Sequence, residues 1–181
     1  MGGKEPIAMT LDGNILLWIQ TALRQEWMNS FWLFVTRLGD RGIVWLLTIL
    51  ILCCFKKTRK TAVYAFISLA VAFLLGEGLL KHLIARPRPF EMISDLVVLG
   101  AKPGSYSCPS GHTMSSFATA WIYYLGLDKR IGIPAMILAV LIGISRLYIG
   151  VHYPTDVLLG FILATGVSYF VFQIMKKRGD A

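Results

Sequence analysis

Long apolar runs separated by short basic clusters are the feature that most limits what this chain can fold into. Five segments are apolar enough to cross a hydrocarbon core of ~30 Å: approximately residues 41–55, 61–83, 112–127, 131–149 and 157–175. Every backbone polar group in lipid needs an internal partner, so such segments fold as helices. We therefore predict an all-α protein, a polytopic transmembrane helix bundle with five spans.

The N-terminal part of the chain is less apolar. Residues 1–40 are predicted to form short helices lying at the membrane interface, ahead of a transmembrane core at residues 41–181. A continuous span would have to carry Arg24 and Glu26 through lipid, which is costly. A sixth, tilted span through residues 12–38 is the alternative.

The formal net charge of +8 comes from basic residues that cluster between the apolar runs. Such clusters at residues 56–60, 128–130 and 176–178 are typical of cytoplasmic anchors, and their placement excludes a nucleic-acid-binding function. They follow the first, third and fifth spans. The sequence thus predicts a multi-pass protein of the cell membrane with a cytoplasmic C-terminus.

The opposite, extracytoplasmic face collects the remaining span ends, and these carry polar residues that are rare in membrane segments. They are Lys81, Arg86, Arg88, Ser110, Gly111, His112, Arg146, His152 and Asp156. Alternation of the spans brings them to one face, where we expect a single site.

The basic members of this set predict an anion-binding site. Arg88 and Arg146 present planar forks of donors that suit phosphate oxygens, and Lys81 adds a point charge. Ser110 and Gly111 stand at a helix start, where free N–H groups and the helix dipole attract anions.

The histidines add chemistry to the anion site. His152 and Asp156 are four residues apart, so the carboxylate can orient the ring and leave its other nitrogen to attack phosphorus. His112 can protonate the leaving oxygen. Glu77 precedes Lys81 by one helical turn and is predicted to hold that side chain in place.

Each residue has a plainer interpretation when it is taken alone. Arg86 and Arg88 suit interfacial anchors, and Asp156 suits a helix cap. Convergence on one face favours the functional interpretation.

Three sequence motifs carry a resemblance to a known family. The first is Lys, six residues, then Arg-Pro, at residues 81–89; the second is Pro-Ser-Gly-His at 109–112. The third is Ser-Arg, five residues, His, three residues, Asp, at 145–156. Together they resemble the signature of the type 2 phosphatidate phosphatase superfamily, which includes bacterial lipid phosphatases and vanadium haloperoxidases.

This resemblance implies a role for each matching residue. His152 is expected to form a phosphohistidine, Asp156 to orient it, and His112 to serve as the acid and then the base for water. The phosphate would be held by Lys81, Arg88, Ser110, Gly111 and Arg146. The resemblance implies no metal and no other cofactor.

The function expected from residues and resemblance together is hydrolysis of a lipid phosphate or diphosphate at the extracytoplasmic face. Undecaprenyl diphosphate, phosphatidylglycerophosphate and phosphatidate are the candidate substrates, and no obligatory protein partner is expected. A non-catalytic lipid-phosphate binding or transport protein and a vanadate-dependent haloperoxidase-like enzyme are the alternatives.

Overall fold

The structure, a computed structural model, describes residues 11–179, and its regular elements within that range are all helical. Residues 1–10 of the predicted N-terminal region and residues 180–181 of the predicted core lie outside the described residues. The α-helices in the described range are α1 (Leu11–Trp18), α2 (Glu26–Leu38), α3 (Ile43–Cys53), α4 (Arg59–Phe73), α5 (Lys81–Ile84), α6 (Pro89–Met92), α7 (Gly111–Gly126), α8 (Lys129–Tyr148) and α9 (Pro154–Lys177).

All five predicted spans are helical, but their lengths differ. Within residues 11–179, three stretches are long and apolar enough to cross a membrane: Arg59–Met92, Lys129–Tyr148 and Pro154–Lys177. Helix α7 has 16 residues, which corresponds to about 24 Å at the usual rise per residue. Helix α3 is shorter still. The all-helical class is confirmed, and the count of five spans stays a prediction.

The N-terminal segment forms two helices, as predicted. A π-helical turn, Ile19–Leu23, ends α1, and the chain is extended at Arg24 and Gln25 before α2 begins. The guanidinium of Arg24 donates to the carbonyl oxygens of Val97 (2.7 Å) and Tyr148 (2.5 Å). These bonds attach the break between the helices to the rest of the molecule. The position of the two helices at the membrane interface stays a prediction.

Helix α7 lies at the centre and packs against α4, α8 and α9. Small side chains let the neighbouring helices approach it, as is common between membrane helices. Hydrogen bonds also join α7 to its neighbours: Nε1 of Trp45 donates to Oγ of Ser116 (3.0 Å), and Oγ of Ser168 in α9 donates to the Ala118 carbonyl (3.1 Å). The outward faces of α4, α8 and α9 expose large apolar side chains, which suits contact with lipid.

The ends of the predicted spans meet as the alternation of directions requires. At one end of the bundle, Oγ1 of Thr61 donates to the carbonyl of Gly126 (3.2 Å), and a Cβ at Gly126 would lie 3.1 Å from Cε of Met175. Arg59 and Arg178 border one groove at this end. The basic clusters therefore share one end of the bundle, away from the polar residues described next.

Candidate active site

A cavity of about 890 Å³ opens at the other end of the bundle. Its charged and titratable lining includes most of the residues predicted from the sequence. These are Glu77, Lys81, Arg88, His112, Arg146 and His152, with the backbone of Gly111 beside them. Three separate stretches of the chain, residues 77–88, 111–112 and 146–152, thus contribute to one cation-rich site.

His152 lies buried between Arg88 and Asp156. Nη1 of Arg88 is 3.1 Å from Nε2 of His152. A guanidinium only donates, so Nε2 accepts and the ring proton belongs on Nδ1, which faces Asp156. The Nδ1–Oδ2 distance is 3.5 Å, and Nδ1 makes no hydrogen bond. Burial lowers the pKa of His152 to about 3, so the ring is neutral at neutral pH.

Asp156 is fully buried and held by three donors. Its Oδ2 accepts from Oγ of Ser107 (2.5 Å) and from the backbone N–H of Tyr153 (2.9 Å). Its Oδ1 accepts from Nη1 of Arg86 (2.7 Å). The bond from Tyr153 is the helix cap at the start of α9, so this carboxylate caps a helix and also faces His152. Such fixed carboxylates orient histidines in many enzymes.

Arg88 is buried, and its donors are used on several sides. Nε donates to the Ser105 carbonyl (2.7 Å), Nη1 to the Val151 carbonyl (2.8 Å) and Nη2 to the Tyr106 carbonyl (3.2 Å). These bonds fix the guanidinium at the wall of the cavity. A guanidinium held in this way places a fixed positive charge at the cavity wall.

Glu77 and Lys81 form the ion pair that the sequence predicts, with Nζ 2.7 Å from Oε1. Glu77 belongs to a π-helical segment, Leu74–Leu80, that continues α4, and such segments are frequent at functional sites. Nζ of Lys81 also donates to Oγ of Ser105 (3.2 Å). A Cβ at Gly111 would overlap Oε1 of Glu77. Glycine at this position therefore lets the start of α7 lie directly against the Glu77–Lys81 pair.

The start of α7 differs in one detail from the expectation of free N–H groups. The N–H of Ser110 donates to the Asp156 carbonyl (3.1 Å), because the first turns of α7 and α9 pack together. Its hydroxyl accepts from Oγ1 of Thr113 (3.0 Å). Ser110 is completely buried behind the cavity, so its N–H is not free for an anion. Gly111 lines the cavity, and phosphate binding by these two residues stays a prediction.

His112 and Arg146 also line the cavity. Nη1 of Arg146 is 3.3 Å from Nε2 of His112 and donates to Oγ1 of Thr36 (2.5 Å). Nε of Arg146 is buried without a partner, which is unusual for a guanidinium donor. Nε2 of His112 lies 2.9 Å from Oδ1 of Asp40. The structure therefore brings the second predicted histidine next to a carboxylate that lies in none of the three motifs.

Several partners of the site were missed in the sequence. Asp40 and Thr36 come from the N-terminal side of the core, and Ser105 and Ser107 come from the loop before α7. Arg86 was placed among the polar residues of this face but was given no role in the site, and it binds Asp156. Its position two residues before Arg88 was the signal that could have been used.

No group of three or more His, Cys, Asp or Glu residues within residues 11–179 is arranged to hold a metal ion. The chemistry that the described side chains offer is that of a bound anion between two histidines, each facing a carboxylate. Both histidines line the same cavity, and the buried one, His152, is neutral.

This chain resembles known proteins in both sequence and fold. The model of the PAP2 superfamily matches residues 61–180. The chain is 37% identical over 147 residues to an undecaprenyl-diphosphatase of Sulfolobus acidocaldarius, covering 81% of this chain and 70% of that protein. It is 33% identical over 167 residues to phosphatidylglycerophosphatase B of Bacillus subtilis, covering 86% and 79%.

A solved structure agrees with these matches. The crystal structure of a transmembrane PAP2 type phosphatidylglycerolphosphate phosphatase from Bacillus subtilis superposes with a TM-score of 0.74 at 30% identity. The superposition covers 94% of this chain and 89% of that one.

Proposed function

The chain belongs to the PAP2 superfamily, and on this basis we propose that it is an integral membrane phosphatase that hydrolyses lipid phosphate or diphosphate esters. Undecaprenyl diphosphate, phosphatidylglycerophosphate and phosphatidate are the proposed substrates. Two of the relatives are named undecaprenyl-diphosphatase and phosphatidylglycerophosphatase B, after the first two of these lipids. The proposed site faces the extracytoplasmic side and uses no metal.

One observation carries the proposal: the cation-lined cavity that contains both histidines also has an apolar wall. That wall includes Ile43, Leu46, Phe66 and Phe73, whose side chains are exposed. A substrate that fills the cavity would place its anionic end against Arg88 and Arg146 and its apolar part along this wall. Amphiphiles with a phosphate headgroup have that distribution of charge.

In the first proposed step, the N–H that Arg88 donates to Nε2 of His152 turns to a phosphoryl oxygen. The freed lone pair of Nε2 then attacks phosphorus while the bond from phosphorus to the leaving oxygen breaks. His112, in its protonated form, transfers a proton to that oxygen. Lys81, Arg88 and Arg146 stabilise the charge on the other phosphoryl oxygens. The products are phosphohistidine and the free alcohol or, from a diphosphate, the lipid monophosphate.

In the second proposed step, water attacks phosphohistidine. The now neutral His112 takes a proton from the water as its oxygen bonds to phosphorus, and the P–N bond breaks. Inorganic phosphate leaves, and both histidines return to their starting states. The Asp156 carboxylate, 3.5 Å from Nδ1, offsets the positive charge that the ring of His152 carries while Nε2 is bonded to phosphorus.

The test is phosphate release by the purified protein in detergent from the three proposed lipids, with His152→Ala as the control. Wild-type protein should release phosphate from at least one lipid and His152→Ala from none. Vanadate, which mimics a transferring phosphoryl group, should inhibit competitively, and chelators should have little effect. Equal rates for the two proteins would refute a phosphohistidine mechanism, and complete, metal-reversible loss in EDTA would refute metal independence.

A further inference from the structure

The short turn between α2 and α3 brings a carboxylate onto His112. Asp40 begins this turn, Asp40–Gly42, and its Oδ1 lies 2.9 Å from Nε2 of His112. Gly39 lies against the same ring, because a Cβ there would be 2.7 Å from Cδ2 of His112. The turn is therefore built directly against the histidine.

The contact with Asp40 decides which nitrogen of His112 carries the proton. A carboxylate only accepts, so Nε2 must donate to it. Arg146 cannot then donate to the same nitrogen from 3.3 Å, and its Nη1 donates to Thr36 instead. Among the described residues none bonds to Nδ1 of His112, and the His112 side chain belongs to the cavity lining. Nδ1 is thus the nitrogen left for a ligand.

The charge around His112 gives Asp40 a second effect. His112 shares the cavity with Lys81, Arg88 and Arg146, and these cations disfavour a positive imidazolium. Glu77 is already paired with Lys81. The hydrogen bond from His112 lowers the pKa of Asp40, so its carboxylate is ionised at neutral pH. It supplies negative charge directly beside the ring that has to be protonated.

We infer that Asp40 is a positioning residue for His112: it holds the ring by Nε2, directs Nδ1 at the leaving oxygen and stabilises the protonated ring. The inference rests on the proposed function. The site then contains two Asp–His dyads that use different ring nitrogens. Asp156 faces Nδ1 of His152 and leaves Nε2 for phosphorus, whereas Asp40 binds Nε2 of His112 and leaves Nδ1 for the leaving oxygen.

The kinetic test compares two leaving groups. A lipid alkoxide is a poor leaving group that needs the acid, whereas nitrophenolate leaves without one. In Asp40→Asn, kcat/KM should fall roughly 10- to 100-fold on phosphatidate and less than about 3-fold on nitrophenyl phosphate. The loss on phosphatidate is only part of what general acid catalysis usually contributes. Asp95→Asn, at an exposed aspartate of the loop after α6, is the matched control and should change neither rate.

A double mutant separates action through His112 from a general structural effect. His112→Ala should show the same preference for the aryl ester, and adding Asp40→Asn to it should cause little further loss, because residues that act as a unit are non-additive. Equal losses of Asp40→Asn on both substrates, or an additive loss in the double mutant, would overturn the inference.

A second measurement does not depend on activity. The chain has three histidines, so ¹⁵N-histidine NMR of wild type and His112→Gln identifies the His112 signals. We expect a proton on Nε2 in the wild type and a change of that signal in Asp40→Ala. A neutral ring protonated on Nδ1 would refute the inference. If the wild type released phosphate from none of the lipids but gave the expected NMR result, the proposed function would be refuted. The interaction of Asp40 with His112 would still be supported.

Discussion

Lys81 is a buried cation whose ammonium group has one carboxylate beside it. Glu77→Gln keeps the shape of that partner and removes its charge, so Lys81 should be less firmly held. We expect kcat/KM to fall about 10-fold, or about 1.4 kcal/mol of transition-state stabilisation. Glu26→Gln, at an exposed position of α2, should retain the wild-type rate. An inactive but folded Glu77→Gln protein would indicate a direct role in the reaction, and an unchanged rate would show that the pair is dispensable.

His152 can attack phosphorus only as a neutral ring. Its pKa is lowered by burial, so protonation should begin far below the ordinary value of ~6.5. In ¹⁵N-histidine spectra, the signals that disappear in His152→Gln should therefore keep the neutral form from pH 8 down to pH 5. A midpoint between pH 6 and pH 7 would contradict this expectation and would mean that acid directly removes the nucleophile.

The packing of α7 against the π-helical segment after α4 depends on glycine. Gly111→Ala should push Glu77 aside and move Lys81 with it, because the new Cβ would overlap the Glu77 carboxylate. We expect a loss of about 100-fold in kcat/KM, the size of effect that small misplacements in active sites cause. Gly166→Ala is the matched control in α9, where a Cβ meets open space. A Gly111→Ala enzyme as active as this control would show that the close approach is unnecessary.

The helices were predictable from the sequence because each long apolar run has only one way to satisfy its backbone in lipid. The break at Arg24 was predictable because a charge interrupts the apolar pattern. The contacts of Asp40 and Ser107 could not be predicted from the sequence. Both residues lie in turns or loops and reach their partners only because distant helices pack together. Motif spacing identified the histidines but gave no sign of the carboxylate beside His112.

The whole molecule separates two kinds of positive charge. One end of the bundle carries the basic clusters near Arg59 and Arg178, whose side chains border a common groove. The other end carries Arg88 and Arg146, which are buried and line the cavity. Exposed basic clusters next to apolar helices are the residues to which the positive-inside rule applies. The predicted topology therefore depends on the first set and not on the second.

This topology can be tested by labelling single cysteines in intact cells. Cys108 would be a poor probe, because it is buried and burial raises the pKa of its thiol to about 12. Lys102→Cys, exposed at the edge of the cavity, and Arg178→Cys should be made with Cys53, Cys54 and Cys108 replaced. An impermeant maleimide should label Lys102→Cys from outside, and Arg178→Cys only after permeabilisation. Labelling of Arg178→Cys in intact cells, with Lys102→Cys protected until permeabilisation, would place the cavity in the cytoplasm. Because both introduced thiols are exposed, neither result can be attributed to burial.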